Sequence, residues 1–277
     1  MTDVYAELSA CLRAQDPVAL VTVIDGPQVG AKLLVRPDRD PSGSLGDTDL
    51  DRVAHRDALA ELEAGRSGVR HYGPHGETTP EDLLDTPVVR GFVESWAPPP
   101  QMWIFGAVDF TAALAKVAKV LGYRVAVCDA REIFATKRRF PMADEVRVTW
   151  PGPMFDERGD QLGSRDAVCI LTHDPKFDVP AVTGALATKV GYIGVMGSRT
   201  THEKRMERLA EVGVADPADL QRLMSPIGLD IGARTPEETA ISICAEIIAR
   251  HTGRMACLLY TSPSPRDCGP DRVCRLL

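Results

Sequence analysis

Five short apolar runs constrain what the second half of this chain can fold into. They fall at residues 102–107, 124–129, 145–150, 167–172 and 191–196. Helix-like patterns fill several of the gaps, at 109–121, 178–188 and 200–211. A strand that alternates apolar and polar residues has one dry face, whereas a continuously apolar strand is dry on both. Such strands separated by helices predict a parallel sheet with helices on each side. Right-handed crossovers then favour a doubly wound, Rossmann-like sheet, with strand order 3-2-1-4-5 expected. The final helix is signalled by Thr235 as its cap, Pro236 at its first position and Glu238 to complete a capping box. Its expected apolar stripe is Ile241, Cys244, Ile247 and Ile248.

Three consecutive prolines, Pro98 to Pro100, remove three backbone donors and fix φ, which makes a stiff joint. The expected division is an N-terminal domain at 1–97, a Pro-rich joint at 98–101 and the Rossmann-like domain at 102–254. Within the first, residues 2–16 read as a helix, VALVTVID (18–25) and AKLLVRPD (31–38) as strands, 49–65 as a helix and 88–98 as a strand. GPQVG supplies a turn, and both SGSLGDTD and SGVRHYGPHGETTPEDLL read as loops. The fold class is α/β: a small N-terminal α+β domain followed by a doubly wound parallel sheet. Residues 257–267, CLLYTSPSPRD, resemble a transposase sequencing adapter read in frame. Residues 255–277 are therefore expected to be a non-native tail, and no function is placed on Cys257, Cys268 or Cys274.

A net charge of −7 argues against a general nucleic-acid or membrane-surface binder, which needs a basic face. No run approaches the roughly 18 apolar residues of a membrane span. The start, MTDVYAELSACLRAQ, lacks a basic-then-apolar signal, so a cytoplasmic protein is expected. Cys11, Cys128, Cys169 and Cys244 stand singly, without a C-x-x-C. Cys128 and Cys169 read as small core residues, and no metal site is expected.

Ligands of open parallel sheets bind beyond the carboxyl ends of the strands. Residues 104–114, IFGAVDFTAAL, have the outline of a dinucleotide turn. Gly106 permits the tight turn, but Val108 and Thr111 replace the second and third glycines of G-x-G-x-x-G. Asp109 suits the helix dipole and opposes a phosphate at the same place. Two readings stand: a ligand-binding turn formed by Gly106, Ala107, Val108 and Asp109, or a plain strand-to-helix turn capped by Asp109. Asp129, about 20 residues on, occupies the usual place of an acid that meets a ribose hydroxyl. In GVMGSRTTHEKR (194–205), Gly197, Ser198 and Arg199 open a helix, with Thr200 and Glu203 as its capping box. Helix N–H groups plus a guanidinium make an anion seat; a capped helix with a surface arginine is the alternative. His173 and Asp174 are candidate acid/base or orienting residues, against a structural role for the histidine. The loop SPIGLDIGARTPEE (225–238) brings Gly228 and Asp230 as further candidates for the same crevice.

The segments FVESWAPPPQMWIFGA, GYRVAVCDAR, FPMADEV, LTHDPKFDVPA, GYIGVMGSR and SPIGLDIGARTPEETAISI together resemble the xanthine dehydrogenase accessory factors, the XdhC/CoxI family. They cover about 90–250. The resemblance implies a small N-terminal domain, a C-terminal Rossmann domain and a role in maturing molybdenum hydroxylases of the xanthine dehydrogenase or aerobic carbon monoxide dehydrogenase type. It implies binding of the molybdenum cofactor, as molybdopterin or its cytosine dinucleotide form. The implied partners are the hydroxylase apoenzyme, a sulfur-donating enzyme and a second copy of the chain. Two departures mark a divergent subtype. The family's G-A-G-H-V turn is here Gly106-Ala107-Val108-Asp109-Phe110, and its S-G-G-C is here Ser44-Leu45-Gly46-Asp47, without a thiol. The leading expectation is a cofactor chaperone rather than a turnover enzyme. The alternatives are an NAD(P)-dependent oxidoreductase, with Asp129 favouring NAD, and a relic that only docks onto its dehydrogenase.

Overall fold

The computed structural model describes residues 4–37, 39–73, 89–254 and 256, and of Arg199 the backbone alone. Two compact units divide the chain: Met1–Gln101 with Gly163–Asp166, and Met102–Leu162 with Ala167–Leu277.

The first unit contains α1 (Val4–Ala14), β1 (Val18–Asp25), β2 (Lys32–Arg36), β3 (Arg39–Ser44), α2 (Thr48–Ala64), β4 (Gly68–Tyr72) and β5 (Val89–Trp96). Its sheet is antiparallel, in the order β3-β2-β1-β5-β4. The period-2 side-chain alternation of strands sorts β1 and β2 between two cores. Val18, Leu20 and Leu34 face α1, while Ala19, Val21, Val23, Leu33 and Val35 face α2. Asp47, at the place of the family's cysteine, caps α2 by accepting from the N–H groups of Asp49 and Leu50.

Two elements differ from expectation. β3 occupies part of a stretch read as a loop, and β4 occupies residues 68–72 of another. Both are edge strands of mixed exposure and weak β-propensity, held by pairing with β2 and β5. The remainder of that second stretch, 74–84, lies outside the described residues.

The second sheet is made of β6 (Gln101–Phe105), β7 (Arg124–Asp129), β8 (Glu145–Val148), β9 (Ala167–Ile170), β10 (Tyr192–Val195) and β11 (Leu223–Met224). Its order is β11-β10-β9-β6-β7-β8, with parallel pairing. Counted from β6, that is 3-2-1-4-5-6: the expected winding plus β11, whose two residues are too short to register as an apolar run. Met102, Trp103, Ile104 and Phe105 of β6 are all fully buried, as dry faces on both sides require.

The helices are α3 (Asp109–Val120), α4 (Pro151–Arg158), α5 (Pro175–Leu186), α6 (Arg199–Glu211), α7 (Pro217–Leu220) and α8 (Pro236–Thr252). Residues of α3 and α8 join one core with Met102 and Ile104. Residues of α4, α5 and α6 join the other with Trp103 and Phe105. α4 was not expected; Pro151 and Pro153 both fall in its first turn, where proline is tolerated. The capping box of Thr235 and Glu238 is formed. The stripe of α8 is corrected: Cys244 and Ile247 are buried with Ala240 and Ile243, at i, i+3, i+4 and i+7, while Ile241 and Ile248 are about half exposed. Among the described residues, no helix is long and apolar enough to cross a membrane.

Candidate functional site

The winding reverses between β6 and β9, and the strand ends on either side of that point surround one hollow. β6 ends at Gly106, whose φ of +113° suits a residue without a Cβ. A Cβ there would stand 2.6 Å from Thr172 Cγ2, so the turn lies tight against the end of β9.

The polar backbone of this turn is already engaged. The Gly106 N–H donates to Cys128 O at 2.8 Å, and the Ala107 N–H donates to Asp129 Oδ2 at 2.7 Å. The Gly106 carbonyl accepts from Thr111 Oγ1, and Arg139 Nη1 donates to Ala107 O at 3.1 Å. Asp129 is buried, and Arg131 brackets it through Nε at 2.9 Å and Nη2 at 2.8 Å, with its own N–H at 2.9 Å. Burial pushes the Asp129 carboxyl up, but the Arg131 guanidinium and the two N–H groups outweigh it and hold the carboxyl below its ordinary value.

Val108, not Asp109, is the N-cap of α3, and its side chain makes no cap hydrogen bond. The sequence reading of Asp109 as cap is corrected: it is the first helical residue, 90% exposed, with Arg139 Nη2 at 3.5 Å. The Thr111 N–H donates to Val108 O at 3.1 Å, while the N–H groups of Asp109 and Phe110 have no acceptor among the described residues and are open to an external one.

The hollow is a cavity of about 390 Å³, within the range of small-molecule sites. Val108 and Asp129 line it with Ala130 and Arg131 from the end of β7, Trp150 ahead of α4, and Thr172, His173, Asp174 and Phe177 from the end of β9 and the start of α5. Trp150 is half exposed and leans on buried Phe177, with ring centroids 5.7 Å apart. His173 is exposed and makes no hydrogen bond among the described residues. Asp174 caps α5 by accepting from the Lys176 N–H at 3.0 Å, so its carboxylate is directed to the helix and not to His173. The orienting pair expected from the sequence is not made.

Beneath the cavity runs a buried polar chain that sequence reasoning missed. Thr172 Oγ1 donates to Asp178 Oδ1. Arg205 Nη2 lies 3.4 Å from Asp178 Oδ2 and donates to Met196 O at 2.7 Å, while Nη1 donates to Ser225 Oγ at 3.2 Å. One guanidinium thus ties α5, the end of β10 and the loop after β11 together. Burial pushes the Asp178 carboxyl up, Arg205 opposes it, and the balance is a value of about 6. Neither residue stood out in sequence, because both sit inside helical patterns where charged residues are usually exposed.

The remaining candidates stand elsewhere. Ser198 caps α6 by accepting from the Thr201 N–H, which corrects the expected Thr200–Glu203 box, and Gly197 packs over the first turn of that helix. Neither lines the cavity. The Arg199 side chain lies outside the described residues. Gly228 and Asp230 are not brought to the cavity either. The Gly228 N–H donates to Glu246 Oε2 at 2.9 Å, and a Cβ there would meet Ser242 Oγ, so their loop is held on α8 while Asp230 faces solvent. Trp150 is the other residue missed; in sequence it is only the last member of the apolar run 145–150.

Residues 102–247 match the family model described as the XdhC Rossmann domain, and residues 11–73 match that of the XdhC and CoxI family. The chain belongs to the XdhC and CoxI family. Three relatives of this XdhC and CoxI member are informative. It is 34% identical over 157 residues to a probable xanthine dehydrogenase subunit of Bacillus subtilis, covering 57% of this chain and 44% of that protein. It is 25% identical to the uncharacterized protein YqeB of Escherichia coli, over 89% of this chain and 46% of that protein. It is 26% identical to the molybdenum cofactor insertion chaperone PaoD of Escherichia coli, over 61% of this chain and 46% of that protein. The chain spans about half the length of the curated relatives it matches. A crystal structure described as a xanthine dehydrogenase from Bacillus halodurans shares the fold, with a TM-score of 0.52, 21% identity and coverage of 96% of this chain and 99% of that one.

Proposed function

We propose that this XdhC and CoxI member holds a molybdenum cofactor during the maturation of a molybdenum hydroxylase. The observation that carries the reading is the cavity at the topological switch point, where an aromatic face, a guanidinium and an uncapped helix start converge. These residues fit a planar pterin bearing a phosphate. The open N–H groups of α3 and the outer edge of Arg131 would take the anion, and Trp150 with Phe177 would take the ring. The cofactor itself would supply the metal and dithiolene chemistry; the chain's part is to bind, orient and shield it. A relative named as a molybdenum cofactor insertion chaperone supports the same role.

Sulfur handling is assigned to a separate donor enzyme. Cys11, Cys128, Cys169 and Cys244 are all buried, and burial pushes the Cys128 thiol up to about 12, far from a nucleophilic thiolate. The xanthine and carbon monoxide dehydrogenase types are the proposed clients. A homodimer in the cytoplasm, and either the molybdopterin or the cytosine dinucleotide form of the cofactor, complete the proposal.

The chain purified after co-expression with the cofactor pathway is expected to carry pterin at near one equivalent, read by fluorescence of its oxidised form. Pterin-free protein from that co-expression would defeat the reading. Asp129 at the end of β7 favours a second reading, an NAD-binding oxidoreductase. Its carboxylate, however, already takes the Ala107 N–H and Arg131, which leaves the usual ribose contact spoken for. Micromolar binding of NAD or NADH by calorimetry would favour that alternative.

A further inference from the structure

We propose that Trp150 is a stacking seat for the ligand's heterocycle and that Asp174 reads the ring's edge, selecting a 2-amino-4-oxo pyrimidine ring over a 6-aminopurine. The proposal rests on the cofactor reading above and goes further by naming the residues that choose the ring.

Trp150 occupies the N-cap of α4 and makes no cap hydrogen bond there. That position favours Ser, Thr, Asp or Asn, so the chain forgoes a cap to put an indole in its place. The indole is 50% exposed, whereas Phe177 and Phe105 behind it are buried. It is not a loose surface ring. Pro151 follows it, Phe177 backs it at 5.7 Å, and Phe105 backs Phe177 at 6.3 Å, so the ladder of rings runs into the core. One face of a braced indole lines a cavity of about 390 Å³ that also holds Arg131 and His173. Planar heterocycles stack on such faces whatever their substituents.

The choice of ring comes from the carboxylates. Asp129 has its oxygens taken by Ala107 and Arg131. Asp174 gives Oδ1 to the Lys176 N–H, and Oδ2 makes no hydrogen bond among the described residues, although the Arg131 guanidinium is near enough to feel its charge. A 2-amino-4-oxo pyrimidine edge presents an N–H beside an NH₂, both donors. The adenine edge pairs its amino donor with a ring-nitrogen acceptor, which a carboxylate repels. The free oxygen of Asp174 therefore favours pterin and guanine rings.

The test uses the full chain with two readouts. Pterin retained after co-expression with the cofactor pathway is measured for the wild type, Trp150→Phe, Trp150→Ala and Asp174→Asn. The wild type and Asp174→Asn are also titrated with guanosine and adenosine monophosphate, followed by indole emission. Trp150→Phe is expected to retain pterin within about two-fold of wild type, and Trp150→Ala to retain about ten-fold less or worse. Guanosine monophosphate is expected to bind the wild type about ten-fold tighter than the adenosine nucleotide. Asp174→Asn keeps a good cap for α5, so its melting temperature should not move while that preference disappears. Full pterin retention by Trp150→Ala, beside a loaded wild type, would overturn the seat and leave the cofactor reading standing. A pterin-free wild type that still prefers the guanine nucleotide, with the preference lost in Asp174→Asn, would uphold the selection by Asp174 and remove the cofactor. Equal binding of both nucleotides by the wild type would overturn the selection by Asp174.

Discussion

Substituting Arg205 with methionine is expected to cost about 3–5 kcal/mol at pH 8, the range for a buried ion pair that loses one partner. In a chain of this size that is a fall in melting temperature of roughly 10 °C. Arg205 is 2% exposed and binds three elements through Met196 O, Ser225 Oγ and Asp178. Methionine keeps much of the aliphatic stem but strands a carboxylate in a dry site. The loss depends on pH with a definite sign. The folded Asp178 value, about 6, stands above its ordinary 3.8. Between those values the folded chain holds a proton that the unfolded chain has released, so stability falls as pH rises through that window. At pH 5 Asp178 carries its proton and needs the cation less, so Arg205→Met should cost clearly less there than at pH 8. Adding Asp178→Asn, which preserves the bond to Thr172, should recover part of the loss and flatten the pH dependence. Thermal unfolding of the wild type, the two single variants Arg205→Met and Asp178→Asn, and the double variant at both pH values checks it. A loss for Arg205→Met that is independent of pH would show that the charge on Asp178 plays no part.

Gly106→Ala is expected to be nearly as damaging, at about 3 kcal/mol, from one added methyl group. Its φ of +113° is strained for any residue with a Cβ, and the new atom would stand 2.6 Å from Thr172 Cγ2 and 3.2 Å from the Thr172 backbone nitrogen. Thr172 cannot easily rotate away, because its hydroxyl is bonded to buried Asp178. The displaced residue lines the cavity, so pterin retention should fall together with stability. Thr172→Ser removes the clashing methyl and keeps the hydroxyl. The double substitution should therefore regain the steric share of the loss and not the share owed to φ. A double variant no better than Gly106→Ala alone would place the whole cost in the backbone.

Legibility followed burial. The inner strands of the second sheet were readable because strands buried on both faces become continuous apolar runs, as β6, β7 and β9 do. β3 and β4 carry no such signal, since an edge strand gains its order from its neighbour. The strand-end rule brought Val108, Asp129, His173 and Asp174 to one cavity although they lie far apart in sequence. It failed for Gly197 and Ser198, which follow β10 but pack at the start of α6. The separate reading of the loop with Gly228 and Asp230 failed because a loop's position along the chain does not say which way it folds, and here Glu246 holds it on α8. Trp150 stayed hidden because no sequence rule expects an indole at a helix cap. The network of Asp178 and Arg205 stayed hidden because helical spacing alone does not reveal which charged side chain turns inward.

The most direct test of the central claim is amide hydrogen exchange of the chain with and without bound molybdopterin. The account predicts slowed exchange at residues 107–110, 129–131 and 172–177, which surround the cavity and the open start of α3, with little change at 225–232. Protection confined to 225–232 or to the N-terminal unit, with the cavity segments unaltered, would contradict it.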